Sequence, residues 1–153
     1  MTVETLETRA LKYEFEIEIN ASSEAVWTAI TEEINDWWLP DYHMVGAGSV
    51  VRLDARAGGP LVEQLEGGGS LLWYQVQMSI PNTSLHMVGH LGSEWGGPAT
   101  TMLSLTLSER AAGMTLLVRD ALYGSVKEST AETLESGWRK LFSQGLKAWV
   151  ERK

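Results

Sequence analysis

Lys12-Tyr-Glu-Phe-Glu-Ile-Glu-Ile19 alternates without interruption, setting Tyr13, Phe15, Ile17 and Ile19 on one side and Glu14, Glu16 and Glu18 on the other. A period of two with one apolar and one charged face is the pattern of a half-buried antiparallel strand, with the three glutamates on its solvated face. Immediately after it, Asn20-Ala-Ser-Ser-Glu24 offers Ser22 as an N-cap and Glu24 for a first helical turn, and Val26, Trp27 and Ile30 recur at helical spacing. A short helix to about Ile30 follows. A second, Glu32 to Trp38, is stopped by Pro40, because proline disfavours a helical residue before it. The segment 41–48 reads as a loop.

Turn residues then divide the chain into short apolar stretches. Strands are predicted over Ser49–Arg56, Leu61–Leu65, Leu71–Ile80, Ser84–Leu91, Thr100–Ser108 and Met114–Leu122, the breaks being Gly58-Gly-Pro60, Glu66-Gly-Gly-Gly-Ser70, Pro81-Asn82, the glycine-rich link around Trp95 and Glu109-Arg-Ala-Ala-Gly113. That makes seven strands in all. Two capping boxes, Ser125 with Glu128 and Ser129 with Glu132, precede a helix reaching about Arg152. Its apolar stripe runs Leu134, Gly137, Trp138, Leu141, Phe142, Gly145, Leu146 and Trp149. About 22 residues at about 1.5 Å each span about 33 Å, enough to cross a whole curved sheet. The fold class is therefore α+β: a seven-stranded antiparallel sheet curled around one long C-terminal helix, in one domain over residues 1–153. A cylinder cannot fill a concave saddle, so a cavity is expected between them.

Twelve Lys and Arg against twenty Asp and Glu leave a net charge of −8, which argues against nucleic acid as the partner. Cysteine is absent, which excludes disulfides, thiolate catalysis and Cys-based metal sites and makes a cytoplasmic setting the expectation. No apolar run approaches a membrane span, and the acidic N-terminus is unlike a secretory signal, so no membrane insertion is expected. Seven Trp stand against two Phe, an excess of flat surface whose N–H groups each need an acceptor.

In this order of elements the chain resembles the START-like helix-grip superfamily, and within it the bacterial proteins related to the C-terminal domain of the activator of the heat-shock ATPase. The resemblance rests on Ile19-Asn-Ala-Ser-Ser-Glu-Ala-Val-Trp27 with Ile30 and Trp38, on Gly58-Gly59, on Val76 through Pro81 with Leu85, on Gly113-Met-Thr-Leu-Leu-Val-Arg-Asp120, and on Gly137-Trp138 with Leu141. It implies the helix-grip fold, but leaves function open, since that superfamily holds binding proteins and enzymes alike. That subfamily commonly carries a His where this chain has Asp120, so no proton chemistry of such a His carries over.

The candidate site residues follow from strand alternation. The face holding Leu61 and Leu65 also holds Glu63, and the face holding Leu116, Val118 and Leu122 also holds Asp120. A carboxylate facing an apolar interior must be paired, hydrogen-bonded or protonated, and desolvation raises its pKa. Each is thus a candidate general base or an anchor for a polar head group; the alternative is that each caps a neighbour's N–H or pairs with Arg52 or Arg119. Leu53, Tyr74, Val76, Met78, Ile80 and Met87 are expected inward, with Met78 and Met87 as adaptable filler. Trp138, like Trp27, reads as core at helical spacing, and with Phe142 on the helix stripe it completes the candidate ligand-binding set; Trp38, Tyr42 and Trp95 lie in loops or at element ends, and His43 in the loop near the expected cavity mouth. Trp73 and Leu71 fall on the opposite face, a candidate patch for a homodimer. His86 and His90 are about 13 Å apart along a strand, too far to share an ion, and face solvent. No nucleophile elbow, zinc helix or phosphate loop occurs, and nothing calls for a metal or cofactor. The leading expectation is a binder of a small hydrophobic or aromatic molecule. The alternatives are a cyclase or dehydratase using Glu63 or Asp120, and a protein-interaction module acting on a chaperone ATPase.

Overall fold

The computed structural model describes residues 1–152. Strand β1 (Arg9–Ile19) leads into helix α1 (Ser23–Thr31) and the single turn of α2 (Ile34–Trp37), followed by a 3₁₀ turn at Pro40–Tyr42. Strands β2 (Val50–Leu53), β3 (Pro60–Gln64), β4 (Ser70–Ile80), β5 (Ser84–Leu91), β6 (Ala99–Arg110) and β7 (Gly113–Gly124) then form one antiparallel sheet in the order β1-β7-β6-β5-β4-β3-β2. The C-terminal helix runs as α3 (Glu128–Lys140), a π-helical stretch (Leu141–Lys147) and α4 (Ala148–Glu151). This is the α+β helix-grip arrangement the sequence implied. No helix among the described residues is long and apolar enough to cross a membrane.

The local chemistry behaves as predicted at the first helix, where Ser22 Oγ accepts from the Ala25 N–H at 3.1 Å. At the C-terminal helix it does not. The two expected capping boxes are replaced by a start at Glu128, where Thr130 Oγ1 accepts from the Lys127 N–H at 3.4 Å. The π-helical stretch widens the helix, and the last fully buried residue becomes Val150, with Trp149 only half-buried. Gly145 sits where a side chain would meet the Trp37 carbonyl at 2.5 Å, so its lack of a Cβ lets the helix press against α2.

The core lies between sheet and helix: Phe15, Ile17 and Ile19 of β1, Leu103 and Leu105 of β6, Leu116 and Val118 of β7, and Trp138, Leu141, Phe142 and Leu146 from the helix. One strand departs from regular alternation, and with it several expectations fall. In β4 the pairing with β3 slips so that Trp73 is an extra residue between Leu72, opposite Val62, and Tyr74, opposite Leu61. A second slip toward β5 leaves Gln77 unpaired. A bulge reverses the side-chain parity on either side of it. Trp73 and Tyr74 therefore both turn inward, and Leu71 with them, which removes the predicted outer patch of Trp73 and Leu71. Beyond Gln77 the parity flips again, so Met78 and Ile80 are exposed rather than inward. Gly89 on β5 accommodates the bulge, since a Cβ there would meet the Trp73 carbonyl at 2.7 Å and the Tyr74 ring at 2.9 Å.

Candidate functional site

Glu63 receives four hydrogen bonds. It accepts from the backbone N–H groups of Met44 at 3.1 Å and Val45 at 2.9 Å, from Ser49 Oγ at 2.7 Å, and from the indole N–H of Trp73 at 3.0 Å. The carboxyl is wholly covered yet shallow, lying under the single loop that follows the 3₁₀ turn. Burial pushes its pKa up, but the donors at Val45, Ser49, Met44 and Trp73 together prevail and hold it below the usual carboxylate range. The expectation of a raised pKa is thereby corrected, and Glu63 is a carboxylate that pins a loop by its N–H groups. Arg52 is engaged with the Gln64 side chain instead. An ionised Glu63 can only accept, so the Ser49 hydroxyl donates to it and must itself accept from His43, whose Nδ1 lies 2.7 Å away. His43 thus carries its proton on Nδ1 and is the outermost member of this chain of bonds.

Asp120 lies deep in the sheet, 2 % exposed, between β1 and β6. It accepts from the Tyr13 hydroxyl at 2.7 Å and from Thr101 Oγ1, which the Tyr74 hydroxyl approaches at 3.4 Å. Desolvation outweighs the bonds from Thr101, Tyr13 and the Ala121 N–H, so its pKa is raised, as expected for an inward carboxyl. Burial and the nearby Asp120 charge also push the Tyr13 and Tyr74 phenols upward. Arg119 faces Glu14 on the outer side at 3.2 Å and gives Asp120 no ion pair.

The aromatic-walled cleft is lined by neither carboxylate. This cleft of about 590 Å³ is bounded by one side of α3 (Ser129, Thr130, Thr133, Leu134, Gly137, Trp138), by Tyr42 and Met44, by Trp73, by Leu91 at the end of β5, and by Trp95 of the following 3₁₀ turn (Ser93–Trp95) with its cap Gly96. Of the residues expected from sequence, Tyr42, Trp95 and Trp138 line it. Trp38 stands behind Trp73, edge to face at 5.4 Å, and Phe142 is stacked against Trp138 at 5.7 Å. Glu63 and His43 hold the Tyr42–Met44 wall from behind. Tyr74 is buried core beside Trp138, Met87 is buried core, and Leu53 and Asp120 lie away from the cleft. The sequence reading missed Trp73, the link between Glu63 and the cleft, because strict alternation placed it outside. It also missed Leu134 as a wall, although the helical stripe contained it.

The aromatic cluster is continuous. Trp73 meets Trp138 at 6.4 Å, Trp138 meets Tyr74 at 5.9 Å, and Trp37 meets Trp38 and Phe142 at 6.0 and 6.2 Å. Most indole N–H groups are taken: Trp37 donates to Ala29 O, Trp38 to Tyr42 O, and Trp149 to Glu33. Tyr42 donates its hydroxyl to Gly137 O at 2.7 Å, tying the loop to α3. His86 is half-buried and His90 exposed on the outer sheet face, consistent with the sequence reading.

Comparison with solved structures returns the same architecture. A protein from Mesorhizobium loti superposes with a TM-score of 0.66 at 18% identity, over 94% of this chain and 98% of its own. One from Rhizobium leguminosarum gives 0.70 at 13% identity, over 98% and 100%. DynU16, a protein in the dynemicin biosynthetic locus, gives 0.60 at 20% identity, over 92% of this chain and 47% of that one. No curated protein matches the sequence. The model of the family described as "Activator of Hsp90 ATPase homolog 1-like protein" matches residues 20–151, and the chain belongs to that family.

Proposed function

We propose that the protein binds a small apolar or aromatic molecule in the cleft between α3 and the β4–β5 end of the sheet. The observation that carries this reading is the cleft itself: about 590 Å³, inside the range of small-molecule pockets, walled by Trp73, Trp95, Trp138, Leu91, Leu134 and Met44. Trp95 and Met44 are about half exposed, an apolar surface left open to water that a ligand would cover. No Asp or Glu lines this cleft, Glu63 is spent on four donors and Asp120 lies in the sheet away from it, which favours binding over the acid–base alternative at this cleft. Titration with a panel of apolar aromatic compounds, followed by tryptophan fluorescence, tests the reading. A saturable change is expected in the native protein, weakened by about tenfold or more in Leu134→Arg, which sets a charge among the walls. No saturable change from any member of the panel would overturn it.

A further inference from the structure

We propose that Glu63 is a positioning residue of the cleft: its charge holds the loop wall and the sheet wall in the arrangement that binds the ligand, so that affinity depends on that charge. This rests on the reading of the cleft as a ligand site and adds what controls it. The observation that carries it is a shared oxygen. Glu63 Oε1 accepts the backbone N–H of Met44 at 3.1 Å and the indole N–H of Trp73 at 3.0 Å, and both residues line the cleft, one from the loop and one from β4. Oε2 accepts the Val45 N–H at 2.9 Å and the Ser49 hydroxyl at 2.7 Å. Among the described residues, the hydrogen bonds that fasten Met44 and Val45 to the rest of the protein all end on Glu63. Trp73 is the extra residue of the β4 bulge, and its indole bond fixes the direction in which the ring meets the cleft.

The partners make the charge matter. All four are donors, and an ionised carboxylate only accepts. A proton on Oε1 would face two N–H groups. On Oε2 it is accommodated where the Ser49 hydroxyl turns from donor to acceptor, and the bonds to Met44 and Trp73 then lose the charge assistance that makes such bonds roughly twice as strong. The other titratable group in this chain of bonds is His43, which meets Ser49 through Nδ1 at 2.7 Å; a proton added at Nε2 leaves that contact in place. No ion pair reaches Glu63 among the described residues. Arg52 engages Gln64, and the residues opposite Glu63 on β2 and β4 are the apolar Val51 and Leu71. The donors outweigh desolvation, so the charge persists through the ordinary glutamate range and binding weakens only below it.

N-phenyl-1-naphthylamine, an uncharged fluorescent probe, tests this when titrated into the native protein from neutral pH downward, as far as near-ultraviolet circular dichroism shows the fold intact. Its affinity is expected to stay level through the ordinary glutamate range and then to fall by about threefold to tenfold as Glu63 takes up its proton. In Glu63→Gln the affinity at neutral pH should already be lower by about that factor and should not change further on acidification. In His43→Gln the fall on acidification should persist. By reciprocity, saturating the native protein with the probe should lower the Glu63 carboxyl pKa, read by carbon-13 NMR, a measurement that stands where the Gln variant fails to fold. A carboxylate that merely stabilises the fold would show neither the profile nor the shift. Native affinity in Glu63→Gln, a fall on acidification that survives in it or disappears in His43→Gln, or a Glu63 pKa unmoved by the probe would each overturn the inference while leaving the cleft a ligand site. No saturable binding to the native protein at neutral pH would instead count against the ligand-site reading and take the inference with it.

Discussion

Glu63 and Asp120 were placed inward by the same argument, and their surroundings have driven them in opposite directions. Glu63 is shallow and fully hydrogen-bonded, with donors converging from a loop, a serine and a tryptophan, and it is held ionised. Asp120 is deep, receives two hydroxyls and one backbone N–H, and is pushed toward its protonated form. Burial alone therefore does not set the state of an inward carboxyl; the balance of desolvation against converging donors does. The contrast also assigns different work to the two ends of the sheet. At the Glu63 end, ionic hydrogen bonds shape the loop wall of an open cleft. At the Asp120 end, burial outweighs the hydroxyl donors that tie β1 and β6 to β7.

The largest break of this comparison is Glu63→Ala. Four donors lose their acceptor at once, and stability is expected to fall by about 3 to 5 kcal/mol in urea unfolding, with the Tyr42–Met44 wall released. Removing a single donor, in Trp73→Phe, should lower stability by about 1 to 2 kcal/mol, since a hydrogen bond to a charged group is worth more than a neutral one. Tyr13→Phe is expected to lower stability by about 1 kcal/mol and, by deleting a bond that favours the ionised form, to move the Asp120 pKa further upward, which titration of the carboxyl by NMR reads directly. Asp120→Asn should change stability by less than about 1 kcal/mol, because the amide keeps an oxygen acceptor for the neighbouring hydroxyls and carries no charge to desolvate.

The pH dependence sharpens the same contrast. Folded Glu63 binds its proton more weakly than the unfolded chain does, so its contribution is complete above the ordinary glutamate value and is lost as the pH falls through its lowered folded value. Folded Asp120 binds its proton more tightly than the unfolded chain does, so the native protein loses stability as the pH rises from the ordinary aspartate value through the raised one. Measured against pH, the stability difference between native protein and Glu63→Gln should therefore shrink on acidification. The difference between native protein and Asp120→Asn should move against the native protein on alkalinisation over that window. Slopes of the same sign for both would contradict the assignment.

Much of this was legible in the chain. The alternation of Lys12–Ile19, the Ser22 cap, Ser84–Leu91 and the glycine and proline breaks named the seven strands and their order, because period-two patterns and turn chemistry are local. Glu63 and Asp120 were correctly placed inward by parity. Parity failed along β4, where bulges at Trp73 and Gln77 moved Trp73 and Leu71 inward and Met78 and Ile80 outward. A bulge is a property of two strands in register, permitted here by the bare backbone of Gly89 on the next strand, and no pattern within β4 announces it. The cleft was likewise partly visible, in Tyr42, Trp95 and Trp138, while Leu53, Met87 and Asp120 face other parts of the interior.

By itself the sequence determined the element order, the one-sided sheet, the apolar stripe of the last helix and the pair of inward carboxyls, since each follows from backbone periodicity and burial. Only the tertiary structure decided which carboxyl stays charged, that Trp73 joins Glu63 to the cleft, and that the Trp138 N–H is left without a partner. Those outcomes depend on which donors, from loops and strands remote in the chain, arrive within about 3 Å of a given atom, and that distance is set by packing.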